Sequence, residues 1–443
     1  MAGDAGSIRN FQVTNRMVLA IAVPMTLAFL TTPLLGIVDT AVVGQMGDAA
    51  LLGGLAAGAI IFDLVFSTFN FLRSGTTGLV AQAFGRGDVQ AERLTLYRAM
   101  MLAALIGLAV ALLSPLISRA GQWFMGAEAE VSAALDAYVR IRCLGAPFSM
   151  LNYALLGYVL GRGEGGLGLV IQLVLNVANI VFSILFGLVF GWGVAGVAAG
   201  TVAGELIGLI FGLVIVFRRF RDAPWPARSQ LFDPASLRAM FGLNRDIMIR
   251  SFALLAAFAL FTRQGAQLGA VALAANAVLM NFFMMASFFL DGFATAAEQL
   301  AGRAVGARSR PAFVQTARLT SIWGFVLSGL AAVAFLVFGP KLIELITTAQ
   351  PVRDFAETYL PWAALTALTG VLAFQMDGLF IGATWSRDMR NMMLLSLAVF
   401  AAGLWTLPLL LGNHGLWAAL NLFLLARGLT LLAILPRRLG TVG

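Results

Sequence analysis

The run LAIAVPMTLAFLTTPLLGIVDTAVVG, residues 19–44, establishes the class to which this protein belongs. It holds one charged residue, Asp39, and is longer than the roughly 20 apolar residues that a helix needs to cross a bilayer. Similar runs recur along all 443 residues, of which 60% are hydrophobic and 11% charged. A soluble protein of this composition lacks the polar residues to cover its surface. The sequence therefore predicts an all-α, polytopic membrane protein.

The charged and reactive residues exclude several functions. The net charge is +8, but the basic residues lie between apolar segments, which indicates membrane topology rather than nucleic-acid binding. The single cysteine, Cys143, excludes an internal disulfide. We expect the single histidine, His414, to lie in a turn, because Gly412, Asn413 and Gly415 are its neighbours. With no clustered metal-binding or nucleophile motif, we expect no enzyme activity, no metal and no cofactor.

Apolar segments separated by Gly, Pro and charged residues predict twelve transmembrane helices. They cover about 16–46, 50–78, 94–118, 132–161, 165–190, 193–217, 246–268, 271–300, 313–338, 355–383, 390–411 and 414–435. The first segment lacks a small-residue cleavage signature and is too long for a signal peptide, so we expect it to be retained as a helix.

A long polar connector with six arginines divides the chain. The predicted domains are an N-terminal lobe, 1–217, a cytoplasmic connector, 218–245, and a C-terminal lobe, 246–443. If the connector is cytoplasmic, most other arginines between spans fall on the same side, and few fall on the opposite side. The positive-inside rule then places both termini in the cytoplasm, for a protein of the bacterial inner membrane.

The two halves resemble each other in sequence. Q-A-F-G-R at 82–86 matches Q-L-A-G-R at 299–303, an offset of 217 residues (299 − 82). A second match has an offset of 221 and pairs a tyrosine and two glycines: Tyr138, Gly157 and Gly161 with Tyr359, Gly378 and Gly382. These matches predict a duplicated six-helix unit. Because six is even, the copies share one orientation, and two pseudo-symmetric lobes would enclose a central cleft.

Polar residues inside the spans are candidate functional residues, because a charge at mid-bilayer costs about 2.5–3.5 kcal/mol. Asp39 follows Pro24 and Pro33, which remove backbone donors and weaken the helix locally. We favour a functional role for Asp39 over the alternative that it lies close to the outer water. Asp291 and Asp377 are also deep, and for them a structural and a functional role stay equally open. Most intramembrane Asn and Gln are expected to bond between helices.

Three stretches resemble one known family: PLLGIVDTAVVGQMG (33–47), FLRSGTTGLVAQAFGRGD (71–88) and FFLDGFATAAEQLAGRAVGA (288–307). They are similar to the multidrug and toxic compound extrusion (MATE) family, in its DNA-damage-inducible (DinF-like) branch. The resemblance covers essentially the whole chain. It implies a V-shaped pair of six-helix lobes and a cation-coupled antiporter that works by alternating access. The exported compounds would be amphipathic organic cations.

The resemblance also implies a site in the N-terminal lobe. Asp39 occupies the position of the aspartate that carries coupling in proton-coupled members, and Pro24 matches the bending proline. Asn179 and Thr201 match partner residues on the fifth and sixth helices. Ser183 departs from the family, because many relatives have a second aspartate there. Asp39 would then titrate beside Asn179, Ser183, Thr201 or water, with help from Asn176.

Several alternatives stay open at this stage. Sodium-coupled relatives use acidic residues of the seventh and tenth helices. Span 10 carries Asp377, but the stretch IMIRSFALLAAFALFTRQ of span 7, residues 247–264, has no acid, so protons are favoured over sodium. A lipid-linked oligosaccharide flippase of the same superfamily would need a strongly basic cavity, and only Arg73 and Arg427 are deep cations. We expect a monomer in the lipid bilayer, with protons and organic cations as ligands.

Overall fold

The computed structural model describes residues 12–126, 128–221 and 225–442. These residues form sixteen α-helices, α1–α16, and contain no strand, which confirms the all-α class. In chain order the helices are Asn15–Gly44, Ala49–Ser67, Phe71–Arg86, Val89–Leu112, Ser114–Met125, Ala129–Leu144, Ala146–Gly161, Gly165–Ile184, Gly193–Arg218, Arg228–Leu231, Pro234–Gln267, Ala270–Gly306, Arg310–Ile346, Gln350–Gly382, Ser386–Leu411 and Asn413–Leu439. A 3-10 turn, Thr68–Asn70, joins α2 to α3, and a π-helical segment, Leu185–Val189, follows α8.

Most of the predicted spans meet the length and composition of a membrane-crossing helix. Within the described residues ten helical stretches do so, and the bent pair α6–α7 would be the eleventh. The predicted seventh span lies in α11, which is helical throughout but is not among these stretches. This helix carries Arg250 and Arg263 within the predicted segment.

Two of the predicted spans are interrupted next to a proline. The third ends with α4 at Leu112, and the amphipathic helix α5 begins again at Ser114, with Pro115 in its first turn. The fourth is broken between α6 and α7, which meet at Gly145 with a bend of 49°. Pro147 lies in the first turn of α7, where its missing N–H is tolerated. A proline favours a new helix start over a continuous helix.

The predicted connector contains helical structure of its own. Arg98 of α4 donates to the carbonyl oxygen of Leu231 in α10 at 3.1 Å, which fastens the connector to the N-terminal half. Asp233 precedes α11, and its carboxylate accepts from the backbone N–H (2.9 Å) and hydroxyl (2.6 Å) of Ser236. These bonds hold the pKa of Asp233 below its usual range. The chain termini, predicted to be cytoplasmic, lie outside the described residues.

The chain divides into two compact units. The N-terminal unit comprises Leu27–Val80 and Asp88–Met240. The C-terminal unit comprises Phe241–Gly443 with the residues up to Thr26 and the segment Ala81–Gly87. Tyr158 and Leu155 belong to an apolar core of the first unit, and Trp417 and Phe423 to that of the second. The predicted domain boundary at 245/246 falls inside α11, and the predicted domain limits stay a prediction.

The close helix contacts inside each unit repeat along the chain. A Cβ on Gly157 would lie 2.5 Å from the carbonyl oxygen of Arg73, and a Cβ on Gly378 would lie 2.4 Å from that of Ala294. Both members of the second pair are 221 residues beyond the first (378 − 157 and 294 − 73). Gly161 and Gly382 repeat the pattern, against the carbonyl oxygens of Thr77 (2.8 Å) and Glu298 (2.0 Å).

The predicted register between the third helix and α12 is therefore wrong by one helical turn. The contacts relate Gln82 to Arg303 and Gly85 to Gly306, at an offset of 221 rather than 217. Four residues are close to one turn of a helix, so a match shifted by four keeps small residues on the same face. This is why the shifted match at 299–303 looked acceptable in sequence.

Candidate functional site

Asp39 lies in the last third of α1, within the N-terminal unit. Its residue is 8% exposed, and its Oδ1 has no hydrogen-bond partner among the described residues. The hydroxyl of Ser183 interacts with its carboxyl group, and the charge of Arg142 acts on it from farther away. A buried carboxyl with so few donors is costly in its charged form.

Ser183 and Asn179 lie one turn apart on α8 and are both buried. The Ser183 hydroxyl is 3.2 Å from Asn179 Oδ1 and 3.4 Å from the carbonyl oxygen of Val197, both long hydrogen bonds. Since a hydroxyl has one proton, it can serve only one acceptor at a time: Asn179, Val197 or Asp39. The structure thus brings together Asp39, Ser183 and Asn179 around one shared donor.

Two other predicted residues border this group. Thr201 of α9 donates to the carbonyl oxygen of Val197 at 3.1 Å, so it shares an acceptor with Ser183. Asn176 of α8 donates to Thr31 of α1 at 2.6 Å, and its own Oδ1 is buried without a partner in the described residues. Asn176 therefore connects α8 to α1 at Thr31, eight residues before Asp39 (39 − 31). The side-chain carbonyl oxygen of Asn176 could still accept a hydrogen bond.

A stripe of glycines on α9 sets the position of these residues. Cβ atoms on Gly200 and Gly204 would lie 2.4 Å from the backbone nitrogen of Ser183 and 2.6 Å from that of Asn179. Only glycine allows the α8 backbone so close. The π-helical segment begins at Leu185, two residues after Ser183, and Gly187 within it lies against Val42 of α1. Such π segments frequently mark functional sites.

A second polar cluster of the N-terminal unit was not predicted from the sequence. Arg142 of α6 forms a buried ion pair with Glu205 of α9 at 3.0 Å and lies 3.9 Å from the ring centre of Phe62. Ser149 donates to the same carboxylate at 2.6 Å, and Asn152 donates to the Glu205 carbonyl at 2.8 Å. The sequence alone does not indicate that Arg142 is buried, because its partner Glu205 lies on a different helix.

Asp377 of α14 is held by two arginines in the C-terminal unit. Arg250 of α11 and Arg427 of α16 (2.6 Å) both donate to its Oδ2. The Nε atoms of both arginines are buried without a partner in the described residues. Asp291 of α12 is partly buried and acts electrostatically on Arg427. The role of Arg250 does not follow from the sequence of span 7, because its partner Asp377 lies on another helix, α14.

Neither aspartate cluster has the composition of a metal site. No group of three or more His, Cys, Asp or Glu side chains is placed to hold a metal ion within the described residues. The C-terminal cluster supplies two cationic donors and one carboxylate, a set that repels a metal cation. The N-terminal group supplies one carboxyl with hydroxyl and amide partners, which suits a proton.

Pro24, the predicted hinge, lies in a helix that runs without interruption from Asn15 to Gly44. The division between the two compact units crosses α1 between Thr26 and Leu27, two residues after this proline. On the side of the C-terminal unit, a Cβ on Gly292 of α12 would lie 2.0 Å from Thr26 Oγ1. The first half of α1 is thus closely packed against α12, and the hinge role stays a prediction.

Comparison with known proteins identifies the relatives of this chain. The sequence profile of the family described as MatE matches residues 24–185 and 247–405. DNA damage-inducible protein F of Escherichia coli (strain K12) is 38% identical over 420 residues, which cover 94% of this chain and 91% of that protein. A probable multidrug resistance protein NorM of Rhizobium meliloti (strain 1021) is 26% identical, with 94% and 92% covered.

Solved structures show the same fold at lower sequence identity. An outward-facing multidrug resistance MATE family transporter of the MOP superfamily matches with a TM-score of 0.85 at 16% identity, over 100% of this chain and 99% of the other. A MOP superfamily transporter from Pyrococcus furiosus, described as having a binding pocket of reverse polarity, matches with a TM-score of 0.87 at 16% identity. Its match covers 100% of this chain and 99% of that chain. The fold is therefore that of the MATE transporters.

Proposed function

This chain belongs to the MatE family, and from that premise we propose that it is a proton-coupled antiporter that exports amphipathic organic cations by alternating access. Asp39 carries the exchanged proton. The relatives named as multidrug resistance proteins support the substrate class. The proposed setting is the bacterial inner membrane, with both termini cytoplasmic and the chain acting as a monomer.

The observation that carries the proposal is a buried carboxyl with no paired cation. Asp39 is 8% exposed and forms no ion pair among the described residues. In a dry environment the protonated, neutral form of a carboxyl group is favoured, whereas water or a bound cation favours the charged form. Alternation between a dry and a wet surrounding would therefore load and release a proton at this side chain.

Ser183 supplies the donor in place of a second carboxylate. When Asp39 is charged, the Ser183 hydroxyl donates to it. When Asp39 is protonated, the hydroxyl turns to Asn179 Oδ1 at 3.2 Å or to the Val197 carbonyl at 3.4 Å. The single exchangeable hydroxyl proton lets both states be hydrogen-bonded without a second acid, so the missing aspartate does not prevent proton coupling at Asp39.

The C-terminal unit supports protons over sodium. Asp377 is the one acid that matches the sodium-coupled relatives, and its Oδ2 is already held by Arg250 and Arg427. Two guanidinium groups occupy the place where a metal cation would bind. Arg427 is thus committed to an ion pair, as is Arg142, which pairs with Glu205. These pairings weaken the case for a basic flippase cavity.

Transport in everted membrane vesicles tests the proposal. Vesicles with an acid interior should accumulate ethidium when they contain the wild-type chain, because protons leave as the cation enters. Asp39→Asn has no titratable proton and should lose this uptake, while its amount in the membrane and its elution as a single species stay normal.

Asp354→Asn is the matched control, since it makes the same substitution at an exposed carboxylate near the start of α14. It should transport like the wild type. Equal uptake by Asp39→Asn and the wild type would contradict the role of Asp39. Uptake driven by a sodium gradient, with no effect of the pH gradient, would contradict proton coupling itself.

A further inference from the structure

We propose that the C-terminal unit binds an anionic phospholipid in a groove formed by α13, α14 and α16, with the phosphate on Arg318 and an acyl chain along the groove. The groove has a volume of about 560 Å³. Leu372 and Met376 of α14 lie between the wall of α13 and the wall formed by Leu432 and Leu435 of α16. This site is independent of Asp39 and of the proposed transport reaction.

The groove is apolar apart from Arg318 and Ser321 of α13. Its remaining lining on that helix is aliphatic or aromatic and includes Ile322, Phe325 and Val326, which are 47%, 42% and 48% exposed. Large apolar side chains exposed at one open groove of a membrane helix suit a hydrocarbon occupant. The apolar lining is therefore suited to an acyl chain, whereas the presence of Arg318 in the groove needs a separate explanation.

Arg318 is a cation without a partner. It is exposed, and it makes neither a hydrogen bond nor an ion pair within the part of the chain that the structure describes. It lies eight residues after Arg310, the first residue of α13, about 12 Å along the helix. An unpaired guanidinium at that depth is costly unless it reaches the lipid headgroups or meets an anion.

The length of the groove fits one leaflet. From Arg318 to Val326 its lining on α13 rises by eight residues (326 − 318), which is about 12 Å of helix at 1.5 Å per residue. Half of a hydrocarbon core of about 30 Å is about 15 Å. A chain that begins at the phosphate beside Arg318 can therefore lie along the groove within a single leaflet.

The charge of Arg318 selects the class of lipid. An anionic headgroup presents its phosphate without a competing positive charge, whereas a zwitterionic headgroup carries its own amine or ammonium beside the phosphate. Basic sites between transmembrane helices bind anionic headgroups on this principle. A free phosphate would contact Arg318 only and would leave the apolar lining uncovered, so the ligand is the whole phospholipid.

Lipid binding by the purified full-length protein tests the proposal. Native mass spectrometry should show that the wild type in detergent binds dioleoylphosphatidylglycerol in preference to dioleoylphosphatidylcholine. Arg318→Gln should lower the phosphatidylglycerol affinity about fivefold, the usual contribution of one arginine at a membrane surface. Ala317→Phe, which fills the groove and keeps the charge, should also weaken binding.

Arg387→Gln is the matched control, because Arg387 is an exposed arginine in the first turn of α15 that does not line the groove. It should bind the lipid like the wild type. Thermal unfolding of each variant shows that it is folded. Equal affinity for the two lipids, or an unchanged affinity in Arg318→Gln, would overturn the proposal. Binding of glycerol 3-phosphate as tightly as the phospholipid would overturn the role of the groove.

Discussion

Asp39 and Asp377 are both nearly excluded from solvent, at 8% and 5% exposure, but their neighbours differ in charge. Asp377 is contacted by Arg250 and Arg427, whereas Asp39 faces the hydroxyl of Ser183. A carboxylate between two guanidinium groups stays charged, and a carboxyl beside neutral groups can exchange a proton. Two aspartates of similar burial thus differ in the charge of their neighbours, and this difference supports the proposed coupling role of Asp39.

Asp377→Asn should destabilise the protein strongly. The substitution leaves two buried guanidinium groups beside a neutral amide, and breaking a buried pair in this way costs about 3–5 kcal/mol. Arg250→Met in the same chain removes one of the two charges and should recover part of the loss. The midpoint of thermal unfolding in detergent measures both effects.

The exposed Asp354→Asn serves again as the control and should unfold at the wild-type temperature. If Asp377→Asn were as stable as the wild type, the two arginines would have to be neutralised by other groups, and the cluster would not be held by Asp377. If the double variant were less stable than Asp377→Asn, relief of charge repulsion would be the wrong explanation.

Sequence and structure agree that Asp39 and Asp377 are buried, but the sequence does not predict the residues that surround them. An apolar run with one acid, such as 34–44, is visible in the sequence, and so is the absence of a second acid at Ser183. Arg142 and Arg250 could not be assigned, because an arginine near a span end is usual in a membrane protein. Their burial depends on Glu205 and Asp377, which lie on other helices.

Among the helices, the pair α8–α9 depends on a series of glycines spaced by four residues. Gly200, Gly204 and Gly208 face α8, and Gly196 faces the π-helical segment that follows α8. A Cβ atom at each of these positions would lie 2.8 Å or less from the facing atoms. This stripe keeps Ser183 and Asn179 at fixed positions relative to Thr201. In a membrane, helix pairs are stabilised by close packing of small residues, because the surrounding lipid provides no hydrophobic driving force for their association.

Gly200→Ala should separate α8 from α9. The new Cβ would lie 2.4 Å from the Ser183 nitrogen and 2.6 Å from the Phe182 carbonyl carbon, which are backbone atoms that cannot turn away. Overpacking of this kind costs about 1–3 kcal/mol. We expect a lower unfolding midpoint and a reduced ethidium uptake per folded molecule, because Ser183 is displaced.

Gly329→Ala in α13 is the matched control. A Cβ there meets nothing within 4 Å, so the variant should be as stable as the wild type or slightly more stable, given the helix propensity of alanine. Normal stability and uptake in Gly200→Ala would mean that α9 can shift without moving Ser183, which would contradict the positioning role of the stripe.

For the whole molecule, the sequence predicted an all-α membrane fold and its duplication, but not the helix breaks or the register of the duplication. The helix breaks at Leu113 and Gly145 follow from Pro115 and Pro147. The sequence did not predict these breaks, because the segments around them are apolar enough to resemble continuous spans. The duplication was detected because glycines at close helix contacts recur in both halves. Its register was one turn off, since small residues every four positions make two alignments look alike.

The contact-derived offset of 221 predicts that Gly85 and Gly306 have equivalent roles in the C-terminal unit. A Cβ on Gly85 would lie 2.2 Å from the carbonyl oxygen of Arg303, and one on Gly306 would lie 2.0 Å from that of Gln82. Gly85→Ala and Gly306→Ala should thus each lower the unfolding midpoint, by a similar amount that corresponds to about 1–3 kcal/mol. Gly242→Ala in α11, where a Cβ meets nothing within 4 Å, should have no such cost. Since an offset of 217 would pair Gly85 with Gly302, a stable Gly306→Ala beside an unstable Gly85→Ala would show that the contacts are not related by the duplication.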